Sequence, residues 1–267
     1  MISFNHLGNL GRLGNQMFQY SALKGIALKH GYDYCIPPRS LFGVKDHNVK
    51  YSESILYDIF DLEKNNNIEI TSNAILYENQ FHVNEDILEK CPDKVDLYGY
   101  FQSEKYFLHI KDEIKKDFTF KSNLLLECKK IFNDFLVNQE VISLHIRRGD
   151  YIINDNHPLQ SIEYYKNALK YFNENIPVLV FSDDPTWCSE QKMFESDRFM
   201  ISEKNTTDID LCLMTLCDYH IIANSSFSWW GAWLADSKKV IAPKKWFAGD
   251  CINHNTRDLY CLDWILI

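Results

Sequence analysis

The sequence predicts an α/β protein built on mostly parallel, doubly wound sheet, and three observations predict it. Short apolar segments such as Val141–Ile146, Val178–Phe181 and Tyr219–Ala223 read as buried strands. Each is followed by a segment with helical periodicity, so strands and helices alternate as parallel pairing requires. Polar clusters rich in Gly, Ser, Asp and Arg sit at the predicted strand ends, where open α/β sheets bind ligands.

The elements follow in order. Ile2–Leu7 reads as a strand, and Gly8, Gly11 and Gly14 punctuate a turn. Leu13, Met17, Tyr20, Leu23 and Ala27 recur at helical spacing until Gly31, which stands where a C-cap belongs. Tyr32–Ile36 is the next strand, closed by Pro37-Pro38. The segment from about 39 to 95 reads as irregular, with Lys64-Asn65-Asn66-Asn67 as a loop. Tyr106, Phe107, Ile110 and Ile114 mark one helix, and Leu125, Cys128, Phe132 and Phe135 another. A break between halves is expected near 136–140. Beyond it come the strand 141–146, a helix over 161–174 opening at Ser161, the strand 178–181 and a helix after Pro185. A helix over roughly 208–218, the strand 219–223, a helix near 227–236 and the strand 239–242 complete the series.

Length, charge and cysteine content set the outer limits. The 267 residues fit one large domain or two compact halves of about 130 residues each. With 46% hydrophobic and 24% charged residues the balance is globular, which excludes disorder, collagen and a coiled-coil rod. Lys and Arg number 28 against 37 Asp and Glu, and the net charge of −9 argues against a chain-wide grip on nucleic acid. A local basic pocket for a phosphate compound stays open. No apolar run approaches the ~20 residues of a membrane span. Met1-Ile2-Ser3-Phe4-Asn5-His6 has neither a basic n-region nor an apolar stretch after it. A cytosolic protein, free or peripherally associated with a membrane, is therefore expected. The eight cysteines include no C-x-x-C pair and read as reduced, mostly buried thiols, with one late pair open to bridging.

Four strand-end clusters carry the chemistry. The first is Gly8-Asn9-Leu10-Gly11-Arg12-Leu13-Gly14-Asn15-Gln16. It matches neither the dinucleotide fingerprint nor a P-loop, yet a glycine turn before a helix lets a ligand approach backbone N–H groups and the positive end of the helix dipole. The plain alternative is a tight turn with Asn15 as a cap. The second is His145-Ile146-Arg147-Arg148-Gly149-Asp150-Tyr151. Alternation places His145 and Arg147 on one face, and an arginine forks two donors onto a phosphate. The alternative there is an arginine–Asp150 structural ion pair.

The third cluster is Phe181-Ser182-Asp183-Asp184-Pro185, whose carboxylates suit a base or a ribose ligand, or more simply a helix cap. The fourth runs from Asp210 on a helix to Ile221-Ile222-Ala223-Asn224-Ser225-Ser226-Phe227-Ser228-Trp229-Trp230-Gly231. Ser225 and Ser226 lie at a strand-to-helix junction, a natural phosphate seat. Asp210 suits the N–H pair of a purine, but Thr207-Asp208-Ile209-Asp210 also resembles a capping arrangement. Trp229, Trp230 and Trp233 suit a sugar platform or, more commonly, a core.

Together these blocks resemble glycosyltransferase family 11, the bacterial and animal α-1,2-fucosyltransferases. Gly11 to Tyr20, His145 to Tyr151, Phe181 to Asp184 and Asn224 to Trp233 carry the resemblance, in order and over nearly the whole chain. It implies a GT-B-like α/β fold of two Rossmann-like halves facing a central cleft. Residues 1–138 would carry the glycine loop and the acceptor side, and 139–267 would hold GDP-fucose. Carried over by motif, Arg147 resembles the arginine on the donor β-phosphate, with Arg148 beside it. His145 and Asp210 resemble guanine contacts, and Ser225, Ser226 and Phe227 the phosphate segment. Arg12 and Asn15 resemble residues facing the sugar.

The resemblance also implies inverting transfer from GDP-β-L-fucose to the 2-hydroxyl of a terminal β-galactoside, in surface polysaccharide or oligosaccharide synthesis. No cofactor is implied and no metal ligand is assigned. Arg147 would stabilise charge on the leaving phosphate. Asp150 and Asn15 are the catalytic candidates beside it, with the base unassigned. Another fucosyl linkage and a non-catalytic nucleotide-sugar-binding protein are the alternatives.

Overall fold

Two parallel sheets organise the computed structural model, which describes residues 1–36, 45–46, 49–50, 55–62, 74–135, 139–203 and 205–267. The chain divides into two compact units: Met1–Lys121 with Asn255–Cys261, and Ser122–His254 with Leu262–Ile267.

The first unit contains β1 (Ile2–Ser3), α1 (Leu13–His30), β2 (Tyr34–Cys35), the antiparallel pair β3 (Lys45–Asp46) and β4 (Val49–Lys50), and α2 (Leu56–Ile59). It continues with β5 (Ala74–Tyr77), α3 (Glu85–Lys90), β6 (Val95–Tyr98) and α4 (Lys111–Asp117). Its main sheet has the order β2-β1-β6-β5, parallel throughout. α1 ends as its sequence signals: Gly31 adopts a left-handed conformation, φ 68°, and its N–H caps the last turn. β1 is shorter than the expected Ile2–Leu7. Asp96 on β6 accepts from Ser3 Oγ at 2.9 Å and from the Asn5 backbone N–H at 2.7 Å, and the chain turns away there.

The second unit contains α5 (Ser122–Phe135), β7 (Ile142–Ile146), α6 (Ile162–Leu169), β8 (Val178–Ser182), α7 (Pro185–Ser189), β9 (Phe199–Ile201), α8 (Thr207–Thr215), β10 (Tyr219–Ile221), α9 (Ser226–Leu234), β11 (Lys239–Ala242) and β12 (Ile265–Leu266). The sheet order is β12-β11-β10-β7-β8-β9, all parallel. β7 lies inside it with every residue buried, as a two-faced parallel strand demands. Ile142, Leu144, Val178, Val180, Ile221 and Ile241 form its core with Tyr164 and Tyr165 of α6. Ser161 caps α6, accepting from the Tyr164 N–H at 3.2 Å, but the helix stops at Leu169, short of the expected 174.

Three expectations need correction. The segment 39–95 is not wholly irregular, since β5 and α3 lie within it and β5 pairs along its length with β6. The run Lys64-Asn65-Asn66-Asn67 and the pair Pro37-Pro38 fall outside the described residues. The helix marked by Tyr106, Phe107, Ile110 and Ile114 is two 3₁₀ turns followed by α4. The join between units lies at Lys121/Ser122, earlier than the expected 138/139, with 136–138 outside the described residues. The reason is packing: α5 rests on α8, where the Cys128 thiol donates to the Ile209 carbonyl at 3.8 Å. The 255–261 stretch returns to the first unit because buried Asp258 accepts from the Val83 N–H at 3.1 Å and pairs with Lys105 at 2.6 Å. All eight cysteines are free thiols, and seven are buried. Among the described residues no helix is long and apolar enough to cross a membrane.

Candidate functional site

The strand-end clusters of the second unit gather at the carboxyl ends of four consecutive strands of the sheet, β10, β7, β8 and β9. The chain order reverses between β7 and β10, the switch point at which open α/β sheets leave a crevice. His145 is the penultimate buried residue of β7, and Arg147 follows its end.

Arg147 is the most committed cation of this region. Its side chain is 14% exposed, and Nη1 pairs with Asp183 Oδ2 at 2.6 Å while Nη2 pairs with Asp150. The guanidinium carbon sits 5.1 Å from the ring centroid of Tyr151, whose hydroxyl donates to the Asn224 carbonyl at 3.1 Å. The structural ion pair with Asp150 is therefore present. Arg148 turns the other way. Its Nε donates to Asp184 at 3.0 Å and its guanidinium lies 3.9 Å over Trp187.

The β10–α9 junction holds the serines of the fourth cluster. Ser225 is the N-cap of α9, its hydroxyl accepting from the Phe227 N–H at 3.4 Å. That hydroxyl is partly engaged in the cap; the Ser226 hydroxyl has no described partner, and the positive end of the nine-residue helix faces the same turn. Phe227 packs against His145, ring centroids 5.6 Å apart. Burial and the neighbouring Arg147 charge push the His145 imidazolium down to a pKa of about 3, so the ring is neutral at physiological pH. His145 Nδ1 is buried without a hydrogen-bond partner among the described residues.

Asp210 does not cap α8. The N-cap is Thr206, without a side-chain bond, and Asp210 instead accepts from the Ser202 hydroxyl at 2.6 Å, just past β9. Burial raises its carboxyl to about 6 against the lowering effect of that hydrogen bond and one from Asn205. Asp208-Ile209-Asp210 spells an Asp-x-Asp triplet. No group of three or more His, Cys, Asp or Glu among the described residues is arranged to hold a metal ion.

Asp183 and Asp184 divide their labour. Asp184 caps α7, accepting from the Trp187 N–H at 3.1 Å, as the Asp-Pro pattern suggests. Asp183 accepts from the Arg148 backbone N–H at 2.8 Å and holds Arg147. Sequence reasoning had no signal for the second role beyond adjacency to a strand end. The tryptophans are core. Trp229 and Trp230 are fully buried, and Trp229 packs on Trp230, Trp233 and Trp264 at 5.0, 6.1 and 5.5 Å between centroids. Buried Asn224 also has a structural side chain, bonding the carbonyls of Pro158 and Trp246 and accepting from Gln160.

In the first unit the glycine loop sits between β1 and α1. Gly8 and Gly11 take positive φ, and a Cβ on Gly11 would lie 2.0 Å from Asn15 Nδ2. Asn15 is no cap: its Oδ1 accepts from Gln102 Nε2 at 2.7 Å. Gln19 ties the loop by donating to the Leu10 carbonyl at 2.9 Å. Arg12, at the N-cap position of α1, is exposed and makes no side-chain cap bond. The structure thus brings His145, Arg147, Arg148, Asp150, Asp210, Ser225, Ser226 and Phe227 to one sheet end of one unit, and places Arg12 and Asn15 on the other.

The sequence profile described as glycosyl transferase family 11 matches residues 2–267. The chain belongs to glycosyl transferase family 11. A relative in Escherichia coli, the O-antigen biosynthesis glycosyltransferase WbnK, is 32% identical over 93% of this chain and 96% of its own length. An α-1,2-colitosyltransferase of Escherichia coli is 40% identical over 171 residues, 60% of this chain and 58% of that protein. A galactoside 2-α-L-fucosyltransferase of Bos taurus, SEC1, is 27% identical over 86% of this chain and 64% of its own. The matches thus span less than two thirds of the colitosyltransferase and of the bovine protein, but nearly all of WbnK.

Among solved structures, the NodZ α-1,6-fucosyltransferase soaked with GDP-fucose aligns over 93% of this chain and 96% of its own, with a TM-score of 0.57 and 12% identity. At that identity the likeness is one of fold. The family 11 chain has the GT-B-like α/β architecture that its motifs imply.

Proposed function

We propose that the protein transfers L-fucose from GDP-β-L-fucose to the 2-hydroxyl of a terminal β-galactoside, with inversion at the anomeric carbon. The observation that carries this reading is Arg147: a mostly buried guanidinium at the carboxyl end of β7, on the strand adjacent to the one that feeds the α9 N-terminus. A fixed cation beside a helix N-terminus is suited to a diphosphate leaving group.

The acceptor hydroxyl attacks the anomeric carbon as the bond to the β-phosphate oxygen breaks, and Arg147 stabilises the charge that develops there. Ser226, the α9 N–H groups and Ser225 receive the diphosphate, and Arg148 braces the loop. The guanine lies against Phe227, near His145 with its unpartnered Nδ1, while its N–H pair is accepted by Asp210. Arg12 and Asn15 are assigned to the sugar by their motif. Asp150 is the carboxylate nearest Arg147 that is exposed enough to reach a substrate hydroxyl. The names of the Escherichia coli and bovine relatives support transfer to a 2-hydroxyl, and surface polysaccharide as its destination.

One observation favours a second donor. The relative that shares 40% identity is named a colitosyltransferase, and colitose is fucose without its 3-hydroxyl. Turnover of GDP-fucose and of its 3-deoxy analogue with a β-galactoside distinguishes the two. Fucose as natural donor predicts a higher kcat/KM for GDP-fucose; a reversed preference assigns colitose, and no turnover of either supports a binding protein.

Asp210 gives the reading a pH signature. An ionised carboxylate accepts the base's N–H pair and a protonated one does not, so with a carboxyl near 6 the affinity for GDP-fucose falls about tenfold from pH 7 to pH 5. Protonation acts on the fold with the opposite sign. A carboxyl raised on folding contributes stability that is fully present below its ordinary range and lost as pH rises through about 6. Calorimetric titration of GDP-fucose should show the step in the wild type and its absence in Asp210→Asn. Asp210→Ala should raise the donor KM and cost the Ser202 hydrogen bond; a change in stability alone would assign Asp210 a purely structural role.

A further inference from the structure

Arg147 has two carboxylate partners, and they are built differently. Asp183 follows the end of β8 with its side chain 24% exposed. Its Oδ1 accepts from the Arg148 backbone N–H at 2.8 Å, and its Oδ2 pairs with Arg147 Nη1 at 2.6 Å. It also occupies the space left by a missing side chain, since a Cβ on Gly149 would lie 2.4 Å from Asp183 Oδ2. Asp150 stands in the 3₁₀ turn after Arg147, with its side chain 50% exposed, and its one described bond goes to Arg147 Nη2. It borders an open pocket of about 580 Å³ lined by Asn154, Asp155, Asn156 and Asp250 among others.

We propose that Asp183 is a positioning residue that presets the Arg147 guanidinium, and that Asp150 is a placeholder on the same guanidinium, exchanged for the donor's diphosphate. The nature of that anion rests on the function proposed above. An arginine fork with Nη1 fixed by Asp183 presents Nη2 outward at a defined angle, so a phosphate meets a guanidinium whose side-chain freedom is already lost. Asp150 holds that outer edge until an anion with more charge and better fork geometry arrives. Its displacement costs little, because a half-exposed carboxylate is readily rehydrated. Asp183 cannot leave as easily, with a backbone N–H and a snug glycine contact to lose.

Charge alone makes a different prediction, which renders the proposal testable. Both carboxylates repel a diphosphate, so on Coulomb grounds both Asp150→Asn and Asp183→Asn should bind GDP more tightly. The placeholder–clamp arrangement predicts opposite signs. Calorimetric titration of GDP at pH 8 and fixed salt should show Asp150→Asn binding about three- to tenfold more tightly and Asp183→Asn at least about tenfold more weakly. Gly149→Ala keeps both charges but drives a methyl group into Asp183, and should weaken binding as Asp183→Asn does. It also carries the test if Asp183→Asn fails to fold in a thermal melt. Shifts of the same sign in the two Asn variants, or wild-type affinity in Gly149→Ala, would overturn the proposal. A wild-type protein that binds no GDP would contradict the donor reading instead, and the same comparison is then made with inorganic pyrophosphate.

Discussion

Arg147→Ala is expected to lower sugar transfer by at least about 10³-fold while the protein remains folded. The side chain takes no part in a helix cap or in the apolar core of the second unit, and its ion-pair partners Asp150 and Asp183 lie close enough to solvent to be hydrated once it is gone. Circular dichroism and a thermal melt should therefore stay near wild type, and GDP-fucose turnover should be lost. Arg147→Lys keeps the charge and loses the fork, so it should recover only part of the rate. Near-normal turnover in Arg147→Ala would remove this residue from the chemistry.

Trp229→Ala should have the largest effect on stability, about 3–5 kcal/mol, a large share of the roughly 5–15 kcal/mol available to a domain. Trp229 is fully buried, with Trp230, Trp233 and Trp264 packed around it, so truncation leaves a cavity that several aromatic rings cannot all collapse to fill. Denaturant unfolding of the variant should show a much lower midpoint, with Trp229→Phe intermediate. A variant that kept its stability but lost acceptor binding would instead make this cluster a sugar platform.

The long, periodic elements were legible because their patterns extend over several turns or a full buried strand. α1 with its Gly31 cap, β7, β8, β11 and α9 lie close to where their residues place them. The short ones were not. β9 and β12 at the sheet edges have only three and two residues, too few for a period. β6 hides because Asp96 interrupts its apolar run, and only the fold reveals that this carboxylate accepts from Ser3 and Asn5, more than ninety residues away in sequence. At the site, residue types at strand ends were readable, since a parallel sheet puts them on one edge. Partnerships were not. That Asp183 would hold Arg147, that Gly149 would make room for it, and that Asn15 would be engaged by Gln102 all depend on approaches between distant segments. Asp210 illustrates both sides: its local pattern suggested a cap, and the turn after β9 supplied Ser202 in its place.

The central claim is tested most directly by the product itself. The protein is incubated with GDP-β-L-fucose and lactose, and the new glycosidic bond is located by NMR. The account predicts a single fucosylated product with an α bond to the 2-hydroxyl of the galactose, formed together with GDP. A β bond, attachment at any other hydroxyl, or GDP binding without any product would contradict it.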